Sequence, residues 1–137
     1  MRRYLLDTGP LTAYLLGLPT ALTRVTPWIS DLEAATSMLC YGEIVEYLAG
    51  LKDVRRHRRD LRGALRLIHP YPLGLRTLER YAFPRRQRRP PYGPGLIGDI
   101  DTLIAATALE YGLTLLTGDR DFERVSDLDL MLLPLMR

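Results

Sequence analysis

Six acidic residues in this sequence stand where carboxylate chemistry is feasible. Asp7 follows the apolar "YLL", Glu43 sits inside "MLCYGEIVEYL", Asp99 and Asp101 open "GDIDTLIAATALEYG", and Asp119 and Asp121 share "TGDRDF". Carboxylates gathered in one place repel each other unless they are protonated or joined to a cation, and hard oxygen donors suit Mg²⁺ or Mn²⁺. Each residue also has a local role that needs no chemistry. Asp99 can cap a helix and Asp101 can favour its dipole, Asp7 can cap the helix after it, and Asp119 or Asp121 can cap "FERV". Glu43 can simply face water. Taken singly, these roles suffice. Taken together, they leave unexplained why acids recur at strand ends and helix starts.

The elements that would position them follow from pattern. "RRYLL" predicts a short buried strand, and "GPLTAYLLG" a helix with Pro at its entry and Gly at its exit. "PTALTRVTPWISDLEA" can hold a helix, opposed by Pro27 and the threonines. "AATSMLCYGEIVEYLAGL" starts as a strand and becomes a helix near Ser37, whose hydroxyl can cap it, with Leu39, Ile44, Tyr47 and Leu48 sharing an inward side. A basic amphipathic helix is expected over 53–67, an edge segment in "IHPYPL", and a helix from "LGLRTLERYAF" that stops at Pro84. Residues 84–95, "PRRQRRPPYGPG", predict a long basic loop. A helix from about Asp99 to Tyr111, a strand "LTLLT", a short helix in "GDRDFERV" and a strand in "DLMLL" complete the series. Strands alternating with helices argue for an α/β fold with a mainly parallel central sheet, in one domain over 1–137. In such a sheet ligands gather at the carboxyl ends of the strands, where strand order switches. Asp7 and Asp119 are placed there by local structure, and Asp101 enters from the start of its helix.

Composition narrows the classes of function. The single cysteine, Cys40, excludes an internal disulfide, and two histidines, His57 and His69, give no zinc-ligand spacing. Asp7 and Pro10 interrupt the start before a signal-peptide core can form, and no apolar run reaches membrane-spanning length, so a cytoplasmic protein is expected. Residues 52–89 hold thirteen Lys and Arg against three acids, a net of +10 in a chain whose total is +3, which leaves −7 elsewhere. An arginine-rich middle beside acidic flanks predicts a polyanion held near a site that repels anions unless a cation is present.

The ordered set "YLLDTGPLTAYL", "ATSMLCYGEIVEYL" and "IGDIDTLIAATALEYGLTLLTGDRDFERV" resembles the PIN-domain family, most closely its VapC-type toxin ribonucleases, over nearly the whole chain. The resemblance implies a Mg²⁺- or Mn²⁺-dependent endoribonuclease whose acidic cluster is Asp7, Glu43, Asp101 and one of Asp119 or Asp121. Asp119 follows the strand directly and is the preferred ligand, with Asp121 as helper. Metal would be held by Asp7, Asp101, Asp119 and Asp121, and Glu43 would orient or deprotonate the attacking water. Thr8, Ser37 and Thr117 would orient carboxylates, and Asp99 would serve as cap or auxiliary. Arg85, Arg86, Arg88 and Arg89 would contact RNA phosphates. The expected partners are an RNA substrate, a small antitoxin and a second copy of the chain, with no membrane. Two departures stand out: Cys40 occupies a position where the family usually has Ser or Thr, and "RRPPYGPG" replaces an expected continuous helix.

Two other readings compete. A phosphatase of the haloacid dehalogenase type also places an Asp after its first strand, and "GDRD" partly mimics its late signal. It needs a second Asp where this chain has Gly9 and a late lysine, whereas the only lysine is Lys52. A non-catalytic RNA- or partner-binding PIN module is the other, and it leaves a full set of acids without a task.

Overall fold

The structure is a computed structural model that describes residues 1–89 and 97–134. Five parallel strands form one sheet in the order β3-β2-β1-β4-β5: β1 (Tyr4–Leu6), β2 (Ala34–Ser37), β3 (His69–Tyr71), β4 (Thr114–Thr117) and β5 (Leu130–Leu132). The helices are α1 (Thr8–Leu15), α2 (Pro19–Ser30), α3 (Met38–Ala49), α4 (Val54–Ala64), α5 (Leu75–Arg88) and α6 (Asp99–Tyr111), with a 3₁₀ turn at Arg120–Arg124. The chain builds outward from β1 to β2 and β3, then returns to β1's other side for β4 and β5. Strand order therefore switches between β1 and β4, and the crevice opens at their carboxyl ends.

Alternation along the strands divides the core into two layers. Leu5, Ala35 and Leu115 face Ile104, Ala105 and Ala108 of α6, together with Phe122 and Val125. Leu6, Ala34 and Leu116 face Leu11 of α1, Val25 and Ile29 of α2, Ile44 and Leu48 of α3, and Leu61 of α4. Both faces of the sheet are covered, which is why its strands read as apolar runs without polar alternation. α5 lies mainly against α6.

Most boundaries agree with the sequence, and where they differ tertiary packing is the cause. Ser37 caps α3, its hydroxyl accepting from the Leu39 N–H at 3.1 Å. Gly17 and Gly112 take the left-handed conformation just past α1 and α6, where a side chain would be strained. α2 continues through Pro27 because Ala21, Val25 and Ile29, one turn apart, bury a common stripe that outweighs one lost backbone hydrogen bond. α5 likewise does not stop at Pro84 but runs to Arg88, so the first part of the expected loop is helical. Its packing along α6 supplies the compensation. The rest of "RRPPYGPG", residues 90–95, lies outside the described residues. Tyr47, expected to face inward with Ile44 and Leu48, is 49% exposed while those two are buried.

Candidate functional site

Asp7 is the first residue beyond β1, and the fold holds it rigidly. Its N–H donates to the Leu116 carbonyl of β4, 2.9 Å away, and the residue is only 8% exposed. By position it precedes α1, yet its side chain makes no capping hydrogen bond. It is turned across the switch point instead. The Thr117 hydroxyl, at the end of β4, donates to Asp7 Oδ2 at 2.6 Å, and the Cys40 thiol approaches Oδ1 at 3.8 Å. Thr117 Oγ1 also accepts from the Asp119 N–H at 3.0 Å, so one hydroxyl links the loop after β4 to the acid after β1.

Asp101 lies in the first turn of α6, brought to the crevice by a helix whose Ala105, Ala106 and Ala108 are fully buried. Burial pushes its carboxyl up to about 6, and Asp7, Asp119, Glu43 and Asp121 all push in the same direction. Asp7 is raised too, chiefly by burial and also by Glu43 and Asp119, with the Thr117 hydroxyl and Thr8 amide opposing. The acids that act on Asp7 and Asp101 place these two with Glu43, Asp119 and Asp121 in one electrostatic cluster, with no cation among the main influences on either raised acid. Glu43 joins from α3, its carboxylate accepting from the Thr8 hydroxyl at 2.7 Å.

The two late acids differ in a way the sequence does not disclose. Asp119, and not Asp121, caps the 3₁₀ turn, its Oδ1 accepting from the Asp121 N–H at 2.8 Å. Asp119 acts on both Asp7 and Asp101, whereas Asp121 acts on Asp101 alone and lies 4.0 Å from Arg124. Asp99 is turned away from the cluster: Gly98 occupies the cap position of α6, and the Asp99 carboxylate accepts from Arg85 and from the Tyr81 hydroxyl at 3.2 Å. Ser37 is engaged in its own helix cap. Thr8 and Thr117, in contrast, donate to the carboxylates beside them.

Five hard oxygen donors fit a divalent cation in kind. Among the described residues, no three His, Cys, Asp or Glu side chains are drawn together closely enough to form a closed ligand shell.

The arginines also divide. Arg85 pairs with Asp99 and lies over the Tyr81 ring, and Arg88 donates to the Arg124 carbonyl at 2.9 Å. Both are built into the seam between α5 and its neighbours, while Arg86 and Arg89 are exposed. On α4, Arg55, Arg58, Arg59 and Arg62 fall at i, i+3, i+4 and i+7, one stripe on the side of the helix flanking buried Leu61. All four are exposed, and among the described residues none makes an ion pair. The sequence carries this second arginine set in "RRHRRDLR", where the signal is the helix period of the charges and not their density.

Sequence reasoning likewise passed over the roles of two residues near the site. Cys40 touches Asp7 and is one turn before Glu43 on α3; burial, followed by the Asp7 charge, pushes its thiol up to about 12. Tyr47, one turn after Glu43, lines an uncharged pocket beside the acids.

A family model described as the PIN domain matches residues 4–128. Among solved structures, the chain is similar to VapBC2 from Rickettsia felis bound to a promoter DNA fragment, with 19% identity, a TM-score of 0.82, and coverage of 95% of this chain and 98% of that one. DNA-bound VapBC from Salmonella typhimurium gives 17% identity and a TM-score of 0.83, covering 96% and 98%. FitAcB from Neisseria gonorrhoeae gives 25% identity and a TM-score of 0.74, covering 93% and 96%. No curated protein matches the chain. Among the described residues no helix is long and apolar enough to cross a membrane.

Proposed function

The chain belongs to the PIN domain family, and from that premise we propose that it is a divalent-metal-dependent endoribonuclease, the toxin of a toxin–antitoxin pair. The observation that carries the reading is the cluster at the switch point: buried Asp7 and half-buried Asp101, both raised by burial and by the same neighbouring acids. Keeping uncompensated carboxylates together costs stability, and a bound cation removes that cost.

Asp7, Asp101 and Asp119 would hold Mg²⁺ or Mn²⁺, with Asp121 assisting. A cation bound there supplies Lewis acidity toward a phosphoryl oxygen and eases deprotonation of water. The remaining work falls to the chain's own groups. Thr117 fixes the rotation of the Asp7 carboxylate, and Thr8 fixes that of Glu43. Glu43 would take a proton from the water as the water oxygen adds to phosphorus; the bond from phosphorus to the leaving oxygen breaks, and that oxygen takes a proton from solvent to end as a hydroxyl. Exposed arginines hold the RNA backbone, in the α4 stripe and at Arg89. Arg85 and Arg88 would reach phosphate only by leaving their partners in the fold.

The VapBC and FitAB assemblies among the structural neighbours support a small antitoxin as partner. Pairing of two copies belongs to the same reading, and light scattering tests it. The deciding experiment incubates purified protein with RNA in Mg²⁺, in Mn²⁺ and in EDTA. Cleavage should appear with either metal and vanish with chelator. RNA binding without cleavage in either metal would favour the non-catalytic module.

A further inference from the structure

We propose that the pocket between α1 and Tyr47 is a nucleobase subsite, receiving one unstacked base of the strand whose scissile phosphate lies at the carboxylates. The proposal rests on the ribonuclease reading and adds to it a determinant of cleavage position.

The pocket shares its wall with the acids. Thr8 lines it and donates to Glu43 at 2.7 Å. Gly118 lines it from the loop between Thr117, which holds Asp7, and Asp119. Tyr47 lines it four residues after Glu43, on the same side of α3. Whatever occupies the carboxylates is therefore next to this opening.

Its chemistry selects the occupant. No lining residue carries a charge, so the pocket has nothing to offer a phosphate or an acidic peptide side chain. Pro10, Leu16 and Leu133 provide apolar wall, and Thr8 and Thr12 are polar residues among the lining. A flat heterocycle with polar atoms on its rim meets both demands. Tyr47 is half-exposed at the mouth, and among the described residues it stacks on no other ring, unlike Tyr4 on Trp28 or Tyr71 on Tyr111. Bases stack on such rings when a strand is splayed open. The volume, about 290 Å³, lies at the small end for ligand sites, which suits one flat group better than the row of side chains an amphipathic helix presents.

The test pairs a protein change with an RNA change. RNA oligonucleotides with one mapped cleavage site are compared with copies carrying a single abasic residue at each flanking position in turn. With the wild-type chain, one abasic position should raise KM roughly tenfold with kcat nearly unchanged, the loss expected for one stacked base. Tyr47→Ala should raise KM on intact RNA by a similar factor and become indifferent to that abasic position. Tyr47→Phe, which keeps the ring, should rescue KM. Independent, additive penalties would overturn the subsite, as would a wild-type chain indifferent to every abasic position. If Tyr47→Ala left RNA affinity intact but lost inhibition by an antitoxin peptide, the pocket would belong to a protein partner and the proposal would fall. The same substitutions are read by RNA binding in EDTA. Absence of cleavage alone then counts against the nuclease reading, while affinity still decides the subsite.

Discussion

Two groups of acids meet at the start and along the length of α6, and they are treated in opposite ways. On the crevice side, Glu43 and Asp119 push up both Asp7 and Asp101, with no basic side chain among the main influences on either. On the α5 side, Asp99 accepts from Arg85 and Tyr81, and Glu110 accepts from the buried Thr77 hydroxyl at 2.6 Å. Asp99 and Asp101 are two residues apart, so the helix period alone sends them to different faces. The seam pairs its charges as ordinary folding demands. The crevice leaves its charges in conflict, which a folded chain tolerates where a ligand resolves it.

The largest expected effect comes from exchanging each aspartate for its amide. Asp101→Asn should lower metal-dependent RNA cleavage at least about a hundredfold, because even groups that only orient ligands cost 10–100-fold when removed. Asp99→Asn should leave turnover within a few-fold of wild type. Equal losses in the two variants would end the contrast between crevice and seam. Stability should move the other way. The folded chain raises Asp101 from 3.8 to about 6, so it favours the protonated form. Its stabilising contribution is full below pH 3.8 and disappears as pH rises through about 6. The metal-free wild type should therefore melt higher at pH 5 than at pH 7.5, and Asp101→Asn should melt a few degrees higher than wild type at pH 7.5. A thermal scan in EDTA across that range checks both signs.

Within the crevice, the next contrast is between the late acids. Asp119 acts on Asp7 and Asp101 together, whereas Asp121 is exposed and close to Arg124. Asp119→Asn should weaken Mn²⁺ binding roughly tenfold and Asp121→Asn less, on the scale by which neighbouring groups alter metal affinity. Calorimetric titration with Mn²⁺ gives the order, and the reverse order would make Asp121 the ligand. The amide at 119 can still accept from the Asp121 N–H, so loss of the turn's cap does not confuse the result.

How much of this was legible beforehand depends on the range of the forces involved. Asp7 and Asp119 could be placed because strand ends are local features and the parallel sheet follows from alternating elements. The helix period turns Asp99 from Asp101, but its partner could not be read, since Arg85 arrives from another helix. Pro84 misled because a proline's cost is local, while the packing on α6 that offsets it is tertiary. The arginines misled for a related reason: the run "RRQRR" is denser in sequence than the α4 stripe, yet Arg85, Arg86 and Arg88 all have partners in the fold. The bond from Thr117 to Asp7, across 110 residues, has no sequence signature beyond the closeness of each to a strand end.

A smaller effect separates the two basic helices. Replacing Arg55, Arg58, Arg59 and Arg62 of α4 by Gln should reduce the slope of log affinity against log salt by roughly 0.7 for each phosphate no longer neutralised, up to about three units for single-stranded RNA. Arg85→Gln should change that slope little, because its guanidinium is held by Asp99. Titrations in EDTA at several salt concentrations measure binding apart from cleavage. An unchanged slope in the α4 variant would remove the stripe from the RNA path.

The smallest effect concerns the seam itself. Arg85 and Asp99 form an ion pair whose side chains are 26% and 61% exposed, so water screens it, and such pairs contribute about 0.2–1 kcal/mol. Arg85 also lies over Tyr81, which shares Asp99 as hydrogen-bond acceptor, and the three form one small network between α5 and α6. Arg85→Gln keeps much of the side chain's length and removes the charge. It should lower the melting temperature only slightly, and by less in high salt, where the pair is already weakened. Combined with Asp99→Asn, the loss should be smaller than the sum of the single losses, since each variant breaks the same ion pair. Additive losses would mean that the two residues do not support each other, and the seam would then offer no paired counterpart to the unpaired acids of the crevice.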